Sequence, residues 1–335
     1  MKYNMKAWVA ELAESRRPLP LLSFPSAQLI GKSVHDITHD ASVQTAGILA
    51  VAQRTNAAAA VCMMDLSVEA EAFGCTLAAS EHEVPTVTNI LVSDEDEANA
   101  LKIPAVGAGR TALYVKAAAD AKAQIQDRPV LAGMIGPFSL AGRLMDVTEA
   151  LMACIADPDF ALAVLDKVTP FLIEYAKAYK SAGVDGIVMA EPLAGLLSPA
   201  QEKEFSAPFV KAIIDAVQDD SFIVIYHNCG DNVPRMLDSI LTIGASAYHF
   251  GNAVDIENDI ISKVSSDILV MGNIDPAGTL RMGTPEKVRE ETLGLLKRCS
   301  KYPNFVLSSG CDIPPLTPWE NIHSFFEASK DYYNN

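Results

Sequence analysis

From residue 110 onward the sequence alternates short apolar runs with longer amphipathic stretches, and few folds can accommodate that order. Thr111 to Ile125 has helical spacing and leads to the run Val130-Leu-Ala-Gly-Met-Ile135. The helix around Val164 to Ala182 leads through Gly183 to Gly186-Ile-Val-Met-Ala190, and Ala200 to Gln218 leads to Phe222-Ile-Val-Ile-Tyr226. Val233 to Ile243 precedes Ser246-Ala-Tyr-His-Phe250, Asp255 to Val264 precedes Ile268-Leu-Val-Met271, and Thr284 to Cys299 precedes Phe305-Val-Leu-Ser308. Such continuous apolar runs predict parallel strands buried on both faces, with the intervening helices as their cover. Upstream, Leu21-Leu-Ser-Phe24 is a first candidate strand, Ala41 to Thr55 a helix ended by Asn56, and Ala58-Ala-Ala-Val-Cys-Met-Met64 a second strand. Counted from Leu21 there are eight strands, which favours a closed (β/α)8 TIM barrel of the α/β class over an open doubly wound sheet.

The remaining segments fit around that barrel. Lys6 to Glu14 reads as a short helical extension at the amino terminus, and Val84 to Val92 as a hairpin excursion. Ser93-Asp-Glu-Asp-Glu97 reads as a helix start, with Ser93 able to cap and the carboxylates placed at the positive helix end. No linker or shift of composition divides the chain, so residues 1–335 are expected to form a single domain.

Composition narrows the partners. The net charge of −16, from 42 acidic against 26 basic residues, opposes phosphate backbones and anionic lipid, so neither nucleic acid nor a membrane is expected as a partner. The first residues lack the apolar core of a signal peptide, and no apolar run approaches the ~20 residues of a membrane span, which suggests a cytoplasmic protein. Six cysteines in such a chain are buried hydrophobes or metal ligands rather than a disulfide framework. Cys62, Cys75, Cys154 and Cys299 have no His or Cys near them in sequence and read as buried thiols.

Barrel active sites are built at the carboxyl ends of the strands. Those positions hold Asp65, Gly136-Pro137, Glu191, His227 with Cys229, Gly251-Asn252, Asn273 with Asp275, and Cys311. Turn preferences account for Asn252, Asn273 and Asp275 as readily as function does. They do not account for His227, Cys229 or Cys311. Residues two apart on an extended strand point the same way, so His227 and Cys229 can present a nitrogen and a sulfur to one point. With Cys311, delivered past the end of another apolar run, they make the ligand set of an open zinc site with its fourth position free. Glu191 suits a fourth ligand, a carboxylate behind the ligands, or a hydrogen-bond acceptor in the pocket. His249 alternates with Tyr248 and Phe250 and is expected to have a hydrogen-bonded structural role. Val106-Gly-Ala-Gly-Arg110 lacks the third glycine and the preceding strand of a dinucleotide site.

Four segments carry a family resemblance: Met64 to Gly74, Gly136 to Gly142, Gly272-Asn-Ile-Asp-Pro276 and Ser309-Gly-Cys-Asp-Ile-Pro-Pro315. With them the chain resembles the uroporphyrinogen decarboxylase superfamily and, within it, the zinc-dependent methylcobamide:coenzyme M methyltransferases. The resemblance implies that His227, Cys229 and Cys311 bind a catalytic zinc. It also implies Asp65 near the pocket, a methylcorrinoid on a carrier protein as methyl donor or acceptor, and a small thiol such as coenzyme M as the other substrate. On this reading Asp65 and Glu191 are candidate catalytic residues, and Asn252, Asn273 and Asp275 candidate corrinoid-binding residues. The decarboxylases of the superfamily have an arginine-rich Arg-Gln-Ala-Gly-Arg segment where this chain has Phe24 to Lys32, with one cation, and a Gly-His pair where it has Gly310-Cys311. A tetrapyrrole decarboxylase and a non-catalytic zinc- or corrinoid-binding protein are the alternatives.

Overall fold

The structure, a computed structural model, describes residues 3–334. In chain order its strands are β1 (Ala60–Val61), a short antiparallel hairpin of β2 (Leu77–Ala78) and β3 (Thr86–Val87), then β4 (Val130–Ile135), β5 (Gly186–Ala190), β6 (Ile223–Asn228), β7 (Ala247–Phe250), β8 (Leu269–Ile274) and β9 (Phe305–Ser309). All but the hairpin join one seven-stranded parallel sheet in the order β1-β4-β5-β6-β7-β8-β9, with helices or helical turns between successive strands.

The count of eight strands needs correcting, because Leu21–Phe24 does not form a strand. The extended segment just before it nevertheless lies between the two edges of the sheet. Leu19 N donates to Leu307 O of β9 (2.9 Å), and Ala58 N, just before β1, donates to Pro18 O (2.9 Å). Leu21 N donates to Ser309 Oγ (3.0 Å) instead of a carbonyl. Leu19 and Leu21 thus spend their N–H groups toward β9, while Pro18 and Pro20, which alternate with them, have none to offer β1. The closing segment stands in the place of an eighth strand without a ladder.

Inside the curled sheet, Leu19, Leu21, Val61, Leu131, Val188, Ile223, Ile225, Ala247, Leu269, Met271 and Val306 pack as one apolar cluster. Met5, Trp8 and Leu12 belong to it too. Their spacing is one stripe of the helix α1 (Met5–Ser15), capped by Asn4, whose side chain accepts from Ala7 N. That helix therefore seals the amino end of the lumen, each buried side chain contributing roughly 2 kcal/mol. Outside the sheet a second cluster holds Val224, Tyr226, Tyr248, Phe250, Phe305 and Leu307 against the helices. Cys62, Cys75, Cys154 and Cys299 are buried there, and burial pushes the Cys62 thiol up to about 12.

Some helices depart from expectation. The stretch 200–218 breaks at Ser206 into Pro199–Phe205 and Ala207–Val217, and 255–264 shortens to a π-helical turn followed by a 3-10 turn. Asp94, not Ser93, caps the helix Glu95–Ala100 by accepting from Glu97 N. No helix among the described residues is long and apolar enough to cross a membrane.

Candidate metal centre

Strand parity decides which side chains meet at the open end of the lumen. On β6, Ile223 and Ile225 face inward while Val224 and Tyr226 face the helices, so His227 also faces inward, at the last position before the rim. On β7 the same alternation turns His249 inward beside it, the two being paired in register. On β9 Val306 faces inward and so does Ser308; the chain then passes Gly310 and delivers Cys311. Cys229 follows β6 where Gly230 packs directly on Gly195, the loop after β5. A Cβ on Gly230 would lie 2.4 Å from Gly195 Cα, so only a glycine there lets the two rim loops close against each other.

His227, Cys229 and Cys311 thereby bring one nitrogen and two sulfurs within 4.8 Å of one another, the one such group among the described residues. His227 Nε2 lies 3.4 Å from Cys311 Sγ. Zinc held tetrahedrally, at about 2.0–2.1 Å from nitrogen and 2.3 Å from sulfur, needs donor atoms roughly 3.5 Å apart, so these residues fit that ion. His227 is buried and the cysteines are half-buried, which leaves the sulfurs facing the rim. The two thiols titrate as a pair. The hydrogen bond from Cys311 depresses the Cys229 thiol, and the same contact together with burial raises Cys311.

The other strand-end residues are engaged elsewhere. Glu191 is fully buried, and its two oxygens accept from Phe138 N (2.7 Å) and Ser139 N (2.9 Å) at the start of the helix Pro137–Met145. A Cβ on Gly136 would lie 2.5 Å from this carboxylate, so Gly136-Pro137 leaves the space that Glu191 fills as a cap from a neighbouring strand. Burial pushes its carboxyl up to about 7, against the hydrogen bonds from Ser139 and Phe138. Asp65 accepts from Arg110 Nη1 (2.6 Å) and Tyr114 Oη (2.8 Å). Asn252, Asn273 and Asp275 come together in a groove of about 880 Å3 whose lining does not include Cys229. Within it Asn273 Nδ2 donates to Gly251 O (2.8 Å) and Val254 O (3.0 Å), and Asp275 Oδ1 accepts from Ala277 N and Gly278 N (2.9 Å each).

A cavity of about 350 Å3 does reach this candidate ligand group, with Cys229 in its wall. Leu66, Ile135, Val147, Pro192, Leu193 and Leu196 make it apolar, and Arg143 is its one basic lining residue. Reasoning from strand ends misses Arg143, because it lies in the last turn of the helix Pro137–Met145. The glycine-flanked segment Gly136 to Gly142 just before it was the available signal.

The sequence pattern of the family described as uroporphyrinogen decarboxylase (URO-D) matches residues 21–332. A relative named methylcobamide:CoM methyltransferase MtbA, from Methanosarcina mazei, is 30% identical over 273 residues, covering 80% of this chain and 78% of the relative. A uroporphyrinogen decarboxylase of Coxiella burnetii is 26% identical over 286 residues, covering 82% and 77%. In fold, a solved methyltransferase from Methanosarcina mazei superposes with a TM-score of 0.86 at 23% identity, covering 99% of this chain and all of that one. The chain belongs to the uroporphyrinogen decarboxylase family and resembles, within it, the methylcobamide:CoM methyltransferases.

Proposed function

We propose that this protein, as one catalytic domain, moves a methyl group between a protein-bound methylcorrinoid and a small thiol such as coenzyme M. The observation that carries the reading is the donor set His227, Cys229 and Cys311, set at the carboxyl rim of the barrel with a cavity against Cys229. Three protein ligands leave one coordination position open, as catalytic rather than structural zinc sites do. A zinc ion there would supply the positive charge that lets a thiol, mostly protonated near its ordinary pKa of about 8.5, give up its proton at neutral pH.

The chain's own residues do the rest. His227 and the two cysteines set where the substrate sulfur sits, and the apolar wall of Leu66, Ile135 and Leu193 excludes water from it. Arg143 offers a charge-assisted hydrogen bond to an anion at the far end of the thiol, which suits the sulfonate of coenzyme M. Val147 and Leu196 are exposed at the mouth and present apolar surface to a corrinoid and its carrier protein. In the forward direction the carbon–sulfur bond forms as the cobalt–carbon bond breaks, and the electron pair stays on cobalt. Asp65 and Glu191 hold the rim that frames this step.

The test is thiol-dependent demethylation of methylcobalamin, or of a methylated corrinoid protein, by zinc-loaded enzyme. It is followed through the corrinoid absorption change from the methyl-cobalt to the cobalt(I) form. Coenzyme M, homocysteine and a neutral thiol of similar size are compared. If none supports the change, even with the corrinoid on its carrier, the protein is not this methyltransferase.

A further inference from the structure

Resting on the metal-site reading above, we infer that His249 and Ser308 are positioning residues that lock His227 into the tautomer able to bind a metal through Nε2. The geometry is a chain of hydrogen bonds running inward from the ligand. His227 Nδ1 lies 2.7 Å from His249 Nδ1 and 3.3 Å from His249 O. His249 Nε2 lies 2.8 Å from Ser308 Oγ, which donates to Leu19 O at 2.7 Å.

Each end of this chain is a backbone carbonyl, which only accepts, and that removes the ambiguity of the rings. Ser308 spends its single proton on Leu19 O, so toward His249 its oxygen accepts. His249 therefore carries its proton on Nε2 and leaves Nδ1 bare. His227 Nδ1 faces two acceptors, the bare Nδ1 of His249 and the carbonyl of His249, and so carries the proton. A proton on both Nδ1 atoms would set two N–H groups against each other at 2.7 Å. The Nε2 of His227 is left with its lone pair pointed toward Cys311, where the metal belongs.

All three side chains are buried, so no solvent path competes with this order. An imidazole free to choose its tautomer would spend part of its time with a proton on the ligating nitrogen, and metal binding would have to displace it. The carbonyl of Leu19 belongs to the segment that closes the barrel. The relay thereby makes the ligand's chemistry depend on closure of the fold: without Leu19 O, nothing forces Ser308 to accept.

The first measurement needs no metal. In metal-free protein with 15N-labelled histidine, long-range proton–nitrogen spectra should show His227 protonated at Nδ1 and His249 protonated at Nε2. The opposite tautomer on either ring overturns the proposal. The second measurement is zinc affinity by competition with a chromophoric chelator. His249→Leu removes the nearer acceptor, leaves only the backbone carbonyl at 3.3 Å, and should weaken zinc roughly 10- to 100-fold, the usual effect of losing a partner behind a ligand. His249→Asn keeps an acceptor near the Nδ1 position and should stay within about threefold of the parent. Ser308→Ala should fall between them and populate the second tautomer of His249. Unchanged affinity in His249→Leu, or equal loss in His249→Asn and His249→Leu, shows that the side-chain acceptor at position 249 does not matter and overturns the role. If the parent protein takes up no zinc, the metal-site reading fails, while the tautomers of the metal-free protein still decide the relay.

Discussion

Two polar clusters sit on the same rim of the barrel and differ in what they leave unspent. At the end of the β1 region, Asp65 Oδ1 accepts from Ser67 N (3.0 Å) and Ser67 Oγ (2.5 Å), and its Oδ2 accepts from Arg110 and Tyr114. Arg110 in turn donates through Nε to Glu71 (2.6 Å) and through Nη2 to Ser67 Oγ (2.9 Å). Donors and acceptors are matched and the cluster closes on itself. Across the rim, His227 Nε2 and the sulfurs of Cys229 and Cys311 are aimed at one another with donor capacity to spare. A closed network holds the fold, and an open donor set is free to take up an ion from outside. Both contain titratable groups at strand ends, so position alone does not tell them apart; completeness of pairing does.

The contrast breaks most sharply at the open cluster. Cys229→Ala or Cys311→Ala should drop zinc from about one equivalent per chain to near zero, by elemental analysis, and abolish methyl transfer without loss of secondary structure. Parent-like zinc retention in the double variant would remove the site. At the closed cluster the expected loss is of stability. Arg110→Met leaves the Asp65 carboxylate buried without its cation, and should cost about 3–5 kcal/mol in urea unfolding while zinc per folded chain stays constant. An unchanged urea midpoint would mean the network is dispensable.

Glu69, on the same short helix as Glu71, sharpens the comparison through pH. Burial pushes its carboxyl up to about 8, against the hydrogen bond from Ile135 N. The folded protein then keeps a proton that the unfolded chain releases near pH 4.3. Stability from this group is present below that pH and is lost as pH rises from about 4.3 through 8. Glu69→Gln should flatten that fall and be the more stable protein at pH 8, by a margin on the order of 1–3 kcal/mol in denaturant titrations at several pH values. A parallel pH dependence in both proteins would show that Glu69 ionises normally. The smallest effect is expected at Arg143: Arg143→Ala should raise KM for an anionic thiol about tenfold, leave kcat and zinc content near the parent values, and hardly affect a neutral thiol. Equal KM changes for both thiols would place the anion elsewhere.

Much of the fold was legible because it is written in local patterns. Continuous apolar runs separated by amphipathic ones specify parallel strands and covering helices, and seven of the eight expected strands form. The missed one, Leu21–Phe24, is apolar enough for a strand, but Pro18 and Pro20 remove the donors that a ladder needs on one side. The site was legible for a related reason. His227 and Cys229 share a face by the period of the strand, and neither is a turn former. Glu191 and Asp65 read as reactive groups because their partners lie far off in sequence. The backbone N–H groups of Phe138 and Ser139, and the guanidinium of Arg110, reach them only through the fold.

The sequence by itself determined the class of fold, the residue types able to hold zinc and the shared face of His227 and Cys229, since each depends on neighbours a few positions apart. Tertiary structure alone decided that Cys311 meets them, that His249 faces the lumen rather than the helices, and that Arg143 joins the cavity beside Cys229. It also decided which carboxylates were already spent. Those outcomes depend on strand register and loop closure between segments far apart in the chain. Hydrogen-bond satisfaction is a property of the folded neighbourhood and cannot be assigned to a residue before its partners arrive.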